Sequence, residues 1–161
     1  MSRDKSDEWS RREVIKALAA ASVCPMVSGC EFAEVFDDEG IAESHFSVDD
    51  GGYEELADVG GKVCHDHGNR ELILVRADDD EILAFDRICP HQNLDMGPCG
   101  GNAAPASWNG DDEQIECNWH GSVFARDGSF VDGPDPDTTP DLPTFDVEFD
   151  PETGEGTVLS G

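Results

Sequence analysis

The chain has 161 residues, which is enough for one domain with a modest hydrophobic core. Acidic residues outnumber basic ones by 37 to 10, and the formal net charge is −27. This charge excludes nucleic-acid binding, because contacts with phosphates need a basic surface. It is typical of proteins from salt-adapted organisms, in which salt screens the repulsion between like charges. The alternative is an acidic face that docks a basic partner.

The first thirty residues have the pattern of an export signal. Arg11-Arg12 precedes an apolar run from Ala17 to Val27, which leads into Val27-Ser-Gly-Cys30. The run is shorter than the roughly 20 apolar residues of a transmembrane helix. The order resembles a twin-arginine signal with a bacterial lipobox, which implies cleavage before Cys30, lipidation of its thiol and anchoring of the chain to a membrane. The alternative is an amphipathic helix with an incidental arginine pair.

This assignment divides the chain into a signal at 1–29, an acidic tether at 30–45 and a folded domain at 46–161. In the folded domain, short apolar runs are separated by turn residues, and no long helical period follows the signal. The pattern predicts an all-β, antiparallel domain. Its predicted hairpins join 71–76 to 82–85, 122–125 to 129–131 across Asp127-Gly128, and 145–149 to 156–159.

Two histidines lie close together in Cys64-His-Asp-His67, where a strand places His65 and His67 on one face. Two imidazoles on one face can bind a metal ion. A solvated strand face is the more ordinary interpretation, and we expect it here. His45, in the predicted tether, has no evident role.

Two short pairs of cysteine and histidine lie in the centre of the domain. The first is Cys89-Pro-His91, and the second is Cys117-Asn-Trp-His120. Each pair offers one thiolate and one imidazole, so two loops must close over one centre to supply two sulfurs and two nitrogens. That set fits a cluster of two chemically different iron atoms. Structural zinc is the alternative, but zinc sites usually pair Cys with Cys and His with His at wider spacing.

The residues around these pairs resemble those of Rieske 2Fe–2S proteins, from about Leu56 to about Phe149. The first loop starts at Cys89 with CPHQNLDMGP, and the second starts at Cys117 with CNWHGSVF. Gly133-Pro134 matches the start of a proline-bearing loop that covers the cluster in the family. The resemblance implies a Rieske-type antiparallel β-sandwich or barrel base, with a small cluster-binding β subdomain inserted at about residues 87–134.

The resemblance also implies one 2Fe–2S cluster per chain. Cys89 and Cys117 would bind the iron that stays ferric, and His91 and His120 would bind the reducible iron. Around these ligands, Ser122 matches a serine whose hydroxyl donates to a bridging sulfide in cytochrome bc members of the family.

Two departures from the family pattern bear on the midpoint potential. A tyrosine of the cytochrome bc members is replaced by Phe124, which lacks the hydroxyl that donates to a ligand sulfur. High-potential members also join their two cluster loops by a disulfide, but the matching second-loop position here is Asn118 or Trp119. We therefore expect a midpoint potential below that of the high-potential respiratory group, within a family range of about −150 to +300 mV.

Two cysteines remain after the signal, the lipid and the cluster are assigned. They are Cys64 and Cys99, and outside the cytoplasm two remaining thiols can form a disulfide. Two free thiols, with Cys64 as a small buried side chain, are the alternative. Cys99 also begins a segment rich in Gly, Pro and Asp that runs to Glu113 and predicts a surface loop. We expect Trp108, within this segment, to pack over the subdomain.

These features predict one-electron transfer by an exported, lipid-anchored carrier or by a small subunit of a redox complex. Such a chain is an oxidoreductase component rather than a stand-alone catalyst. Its partners would be the membrane, through the lipid, and a redox donor and acceptor that the residues leave open. Alternatives are a Rieske subunit of a quinol-oxidising cytochrome bc-type or arsenite-oxidase-like enzyme, a soluble ferredoxin that feeds an oxygenase, and a surface lipoprotein with structural zinc.

Overall fold

The structure is a computed structural model that describes residues 42–160. The predicted export signal, Cys30 and residues 31–41 of the predicted tether lie outside the described residues. No helix within residues 42–160 is long and apolar enough to cross a membrane.

The described residues form thirteen strands and one short 3-10 helix at Glu54–Ala57. Every strand pair is antiparallel, which confirms the predicted all-β, antiparallel fold. In chain order the strands are β1 Ser44–Ser47, β2 Lys62–His67, β3 Arg70–Asp78, β4 Glu81–Asp86, β5 Ile88–Cys89, β6 Leu94–Asp95, β7 Ser107–Asn109, β8 Gln114–Cys117, β9 Ser122–Ala125, β10 Phe130–Asp132, β11 Thr144–Phe145, β12 Val147–Asp150 and β13 Glu155–Val158.

The base consists of two sheets, one with the order β11-β4-β3-β2 and the other with the order β1-β13-β12. Strand β3 is buried on both faces, because successive side chains of a strand point to opposite sides. Leu72 and Leu74 pack in the core between the two base sheets. Ile73 and Val75 pack in a second core, which also buries the ends of β5 and β8. Each such side chain stabilises the fold by about 1.5–3 kcal/mol, so β3 holds the two layers together.

The chain between β4 and β11 forms the second layer, with a sheet of order β10-β9-β8-β7 and the small pair β5-β6. The prediction of a surface loop for residues 99–113 is wrong at β7, where Trp108 pairs with Ile115 of β8. The reason is that the Trp108 ring is an apolar anchor, and it packs 6.3 Å from the ring of Phe85. Its predicted packing over the subdomain is thereby confirmed.

Two of the predicted hairpins form as expected, β3–β4 and β9–β10. The second turns at Gly128, which has a φ of +82°. A Cβ atom there would lie 2.0 Å from the carbonyl oxygen of Leu142, so only glycine fits. The Leu142 N–H in turn donates to the Gly128 carbonyl oxygen at 2.8 Å. This contact fastens the hairpin to the segment that leads into β11.

The third predicted hairpin forms in part, because the alternating run 145–149 is divided between two sheets. Strand β11 pairs with β4, whereas β12 pairs with β13. The change of sheet occurs at Asp146, whose carbonyl oxygen accepts from the Leu159 N–H at 2.9 Å. The side-chain alternation is unaffected, since Phe145, Val147 and Phe149 all pack against the core of the base.

Candidate metal centre

The two predicted ligand pairs lie where short strands end. Cys89 is the last residue of β5 and Cys117 is the last residue of β8. After each cysteine the chain turns back, closed by hydrogen bonds from Asn93 N to Cys89 O (2.8 Å) and from Gly121 N to Cys117 O (2.9 Å). These tight turns keep His91 near the first cysteine, and the histidine of the second pair near the second.

The two cysteine side chains are buried in the same core cluster, and each thiol affects the ionisation of the other. The neighbouring Cys117, together with burial, raises the pKa of Cys89. The neighbouring Cys89 thiol stabilises a thiolate at Cys117 and lowers the pKa of Cys117 to about 6. Cysteine binds metals as the thiolate, so the pair can offer two sulfur ligands.

The two ligand histidines form a second pair. The rings of His91 and His120 lie edge to face, with centroids 5.2 Å apart. Within residues 42–160 no group of three or more His, Cys, Asp or Glu side chains converges closely enough for one metal ion. Two cysteines and two histidines in two pairs are the donor set that a centre of two chemically different iron atoms takes.

A carboxylate caps the outer nitrogen of the first histidine. Asp135 Oδ2 lies 3.1 Å from His91 Nε2. Because a carboxylate accepts hydrogen bonds, Nε2 carries the proton and Nδ1 keeps its lone pair. With the proton on Nε2 and the carboxylate beside it, Nδ1 is the nitrogen that can bind a metal ion.

A buried hydroxyl close to the thiols lacks a partner. Ser122 is fully buried near the Cys89 sulfur, and its Oγ forms no hydrogen bond of good geometry. Leaving a buried hydroxyl unpaired costs about 1–3 kcal/mol, so this donor fits a site that takes a cluster. The neighbouring Phe124 is fully buried as well and packs edge to face with Phe130. It offers the site an apolar wall and no donor.

The proline-bearing loop lies against the second ligand loop. A Cβ atom on Gly133 would approach Ser122 Cα to 2.8 Å, so the backbones touch directly at this point. Pro134 follows and is half-buried. Asp135, the next residue, lies at the His91 ring.

Cys64 and Cys99 are joined by a disulfide in the structure, with their Cα atoms 6.1 Å apart. That separation lies within the usual range for disulfides. Cys64 belongs to β2 of the base, and Cys99 follows the first ligand loop. The bond therefore links the first ligand loop to the base.

The expectation that His65 and His67 lie on a solvated face is wrong. Both side chains are buried, since β2 turns this face, with Val63, towards the core of the base. Ser44 Oγ lies 2.7 Å from His65 Nε2 and 2.6 Å from His67 Nδ1, and the Tyr53 hydroxyl lies 2.8 Å from His65 Nδ1. Burial lowers the pKa of both histidines, so they are neutral hydrogen-bonding groups of the core.

Several supporting residues were not foreseen from the sequence. Arg87 binds Asp95 in the first loop (Nε to Oδ1, 2.8 Å) and Glu71 on β3 (2.9 Å). The hydrogen bond from Arg87 lowers the pKa of Asp95. The Trp119 indole N–H donates to the Asp95 carbonyl oxygen at 2.6 Å and so joins the two ligand loops. The one available signal was the rarity of basic residues after position 30, which makes Arg87 conspicuous.

An antiparallel β domain with two buried thiols and two imidazoles in facing loops belongs to the class of iron–sulfur domains. The model of the Rieske [2Fe-2S] domain family matches residues 51–146. The chain therefore belongs to the Rieske [2Fe-2S] domain family. No curated protein matches it.

Solved structures that resemble the chain in fold include one ferredoxin and two Rieske proteins. The ferredoxin of carbazole 1,9a-dioxygenase from Nocardioides aromaticivorans IC177 is 22% identical, with a TM-score of 0.52 over 65% of this chain and 88% of that chain. The plasma membrane Rieske protein PetC3 from Synechocystis PCC 6803 is 21% identical, with a TM-score of 0.42 over 63% and 97%. The quaternary ammonium Rieske monooxygenase CntA is 18% identical, with a TM-score of 0.50 over 74% of this chain and 32% of that chain.

Membership of the family defines the cofactor and the kind of chemistry. The domain binds a 2Fe–2S cluster of the Rieske type and serves electron transfer. The unpaired Ser122 hydroxyl, the adjacent thiols and the available Nδ1 of His91 all fit such a cluster.

Proposed function

We propose that this chain is an exported, lipid-anchored electron carrier or a small subunit of a membrane-bound redox complex. In this proposal Cys89 and Cys117 hold one iron, and His91 and His120 hold the other. The observation that carries it is the separation of the ligands into a pair of thiols buried in one core cluster and a pair of imidazoles with ring centroids 5.2 Å apart. A Rieske cluster needs that separation, because two thiolates bind one iron and two imidazoles the other.

The chain supplies different surroundings to the two sides of the centre. The core around Cys89 and Cys117 excludes water from the sulfur side. His120 is exposed, so the imidazole side offers a short path to a partner protein. When bound, the cluster takes up and releases one electron, and two neutral imidazoles in place of two thiolates make it easier to reduce.

Export and anchoring are supported by Arg11-Arg12, the apolar run that follows and Cys30. The disulfide between Cys64 and Cys99 adds a second, independent argument, since disulfides persist mainly in oxidising compartments. A twin-arginine route also suits a protein that folds around its cofactor before export.

A carrier is favoured over a quinol-oxidising subunit by the cysteine pairing. Cys99 is bonded to Cys64 of the base, and the second ligand loop has Asn118 and Trp119 where a loop-to-loop disulfide would need cysteine. Phe124 removes one further donor from the ligand sulfurs. Both features favour a midpoint potential below that of the high-potential respiratory group.

The test is electron paramagnetic resonance of membranes from cells that express the full chain in a host with twin-arginine export. The reduced membrane fraction is expected to give the low-average-g signal of a Rieske cluster. Cys30→Ser should move this signal from the membranes to the soluble fraction, because the lipid is lost. Voltammetry on the same protein should place its potential in the lower part of the family range.

Matched histidine variants complete the test. His120→Asn is expected to abolish the signal, whereas His45→Asn, which changes an exposed histidine of β1, should leave it intact. Protein that contains zinc and gives no signal would refute the cluster. A Cys30→Ser signal that stays with the membranes would refute the lipid anchor.

A further inference from the structure

Asp135 is held in place by its own backbone. Its φ of +57° is uncommon for a residue other than glycine, although Asp and Asn tolerate it better than most. Its carbonyl oxygen accepts hydrogen bonds from the N–H groups of Thr138 and Thr139, each at 3.0 Å. This turn, directly after Pro134, determines the direction of the carboxylate.

The carboxylate makes the two ligand histidines unequal. The Asp135 side chain is 66% exposed, whereas only 4% of the side chain of His91, its partner, is exposed. The other ligand histidine, His120, is exposed. One imidazole is thus capped by a negative charge, and the other faces solvent.

We propose that Asp135 is a positioning residue that holds His91 for its iron and lowers the midpoint potential of the cluster. The inference rests on the proposed function, because it requires His91 to bind the reducible iron. The hydrogen bond at Nε2 fixes both the orientation and the tautomer of the ring. The charge beyond that nitrogen opposes the arrival of an electron on the same iron.

The direct contact distinguishes Asp135 from the many other acidic residues. Exposed charges more than about 8–10 Å apart are largely screened at physiological salt, so most of the −27 net charge acts weakly on the site. A carboxylate that accepts a hydrogen bond from a ligand imidazole transmits its charge through that ring to the iron. Asp137, two residues further along, is exposed and has no such contact among the described residues, so it is a matched control.

The experiment compares Asp135→Asn with Asp137→Asn in the full, cluster-loaded chain at one fixed pH and ionic strength. Asn removes the charge and tolerates the positive φ, so the turn is preserved. The equilibrium constant for reduction is expected to rise about tenfold in D135N, which corresponds to about 59 mV for a one-electron couple. In D137N it should change by less than about threefold, since that charge is exposed and screened.

The possible results of this experiment test the role of Asp135 and the proposed function of the chain separately. Equal potentials in D135N and D137N, with the Rieske signal present in both, would overturn the inference and leave the proposed function intact. A wild-type chain that binds no cluster would refute both. Loss of the cluster from D135N alone, at an unchanged melting temperature, would support the positioning role.

Discussion

The two ligand loops are held in different ways. The first loop, after Cys89, is fastened to its surroundings by the Arg87–Asp95 ion pair, the Cys99 disulfide and the contact of His91 with Asp135. The second loop, after Cys117, is the short connection between β8 and β9 of a four-stranded sheet. Its tip, with Trp119 and His120, is exposed.

The difference follows from the local structure available to each loop. Strands β5 and β6 have two residues each, and a pair so short is not stable alone. The first loop therefore depends on contacts with distant residues. The β8–β9 hairpin has a four-residue ladder and a partner strand on each side. Its turn adds side-chain bonds from Asn118 to Pro105 and Ser107 and from Trp119 to Asp95. The first loop thus holds its ligand through several distant contacts, whereas the tip of the second loop is exposed.

Removal of the disulfide should weaken the first loop most. Cys64→Ser combined with Cys99→Ser opens a loop of 35 residues, and chain-entropy reasoning gives a loss of about 4 kcal/mol in the free energy of unfolding. Chelator should then remove iron faster, and amide exchange should rise at residues 92–98 more than at 118–121. Wild-type protein treated with a dithiol reductant is the matched comparison. An unchanged rate of iron loss would contradict a fastening role for the disulfide.

Loss of the Arg87 ion pair should have the next largest effect. Arg87 is 15% exposed and binds Asp95 and Glu71, so Arg87→Ala is expected to cost about 2 kcal/mol, as charged hydrogen bonds do. Arg126→Ala removes two ion pairs of a 41% exposed arginine and should cost less than about 1 kcal/mol. Thermal unfolding measures both. Equal losses would mean that the Arg87 contacts contribute no more than surface pairs.

Acidification should have the smallest effect on the stability of the fold. It should act through β2, the strand that carries Cys64 and the two buried histidines. Burial lowers the pKa of His65 and His67 in the folded chain, whereas the unfolded chain binds these protons at a pKa of about 6.5. The unfolded state therefore binds more protons as the pH falls below about 6.5, and stability declines from there towards the lowered folded pKa values. Melting temperatures at pH 7.5 and pH 5.5 test this.

The control for acidification is a comparison of single histidine variants. His67→Gln should show a smaller decline with pH than the wild type, because it removes one of the two buried groups. His45→Gln should show the full decline, since His45 is exposed. A wild-type decline no larger than that of His67→Gln would contradict the role of this buried group.

Much of the fold was predictable because its signals are local. Apolar runs on either side of turn residues predicted the β3–β4 and β9–β10 hairpins, and alternation predicted that Phe145, Val147 and Phe149 share a face. Local pattern does not reveal which strand is the hydrogen-bonding partner. Residues 145–149 were therefore expected to form one strand, although they are divided between β11 and β12, which lie in different sheets. The burial of His65 and His67 was missed for the same reason, since alternation does not tell which face of β2 meets the core.

The sequence by itself determined the family, the cofactor and the candidate ligands, because Cys89, His91, Cys117 and His120 lie in short motifs with characteristic spacing. Only the tertiary structure decided which residues support these ligands. The contacts of His91 with Asp135, of Cys64 with Cys99 and of Trp119 with Asp95 join positions 44, 35 and 24 residues apart. Such contacts depend on how two sheets stack, and no local pattern encodes that arrangement.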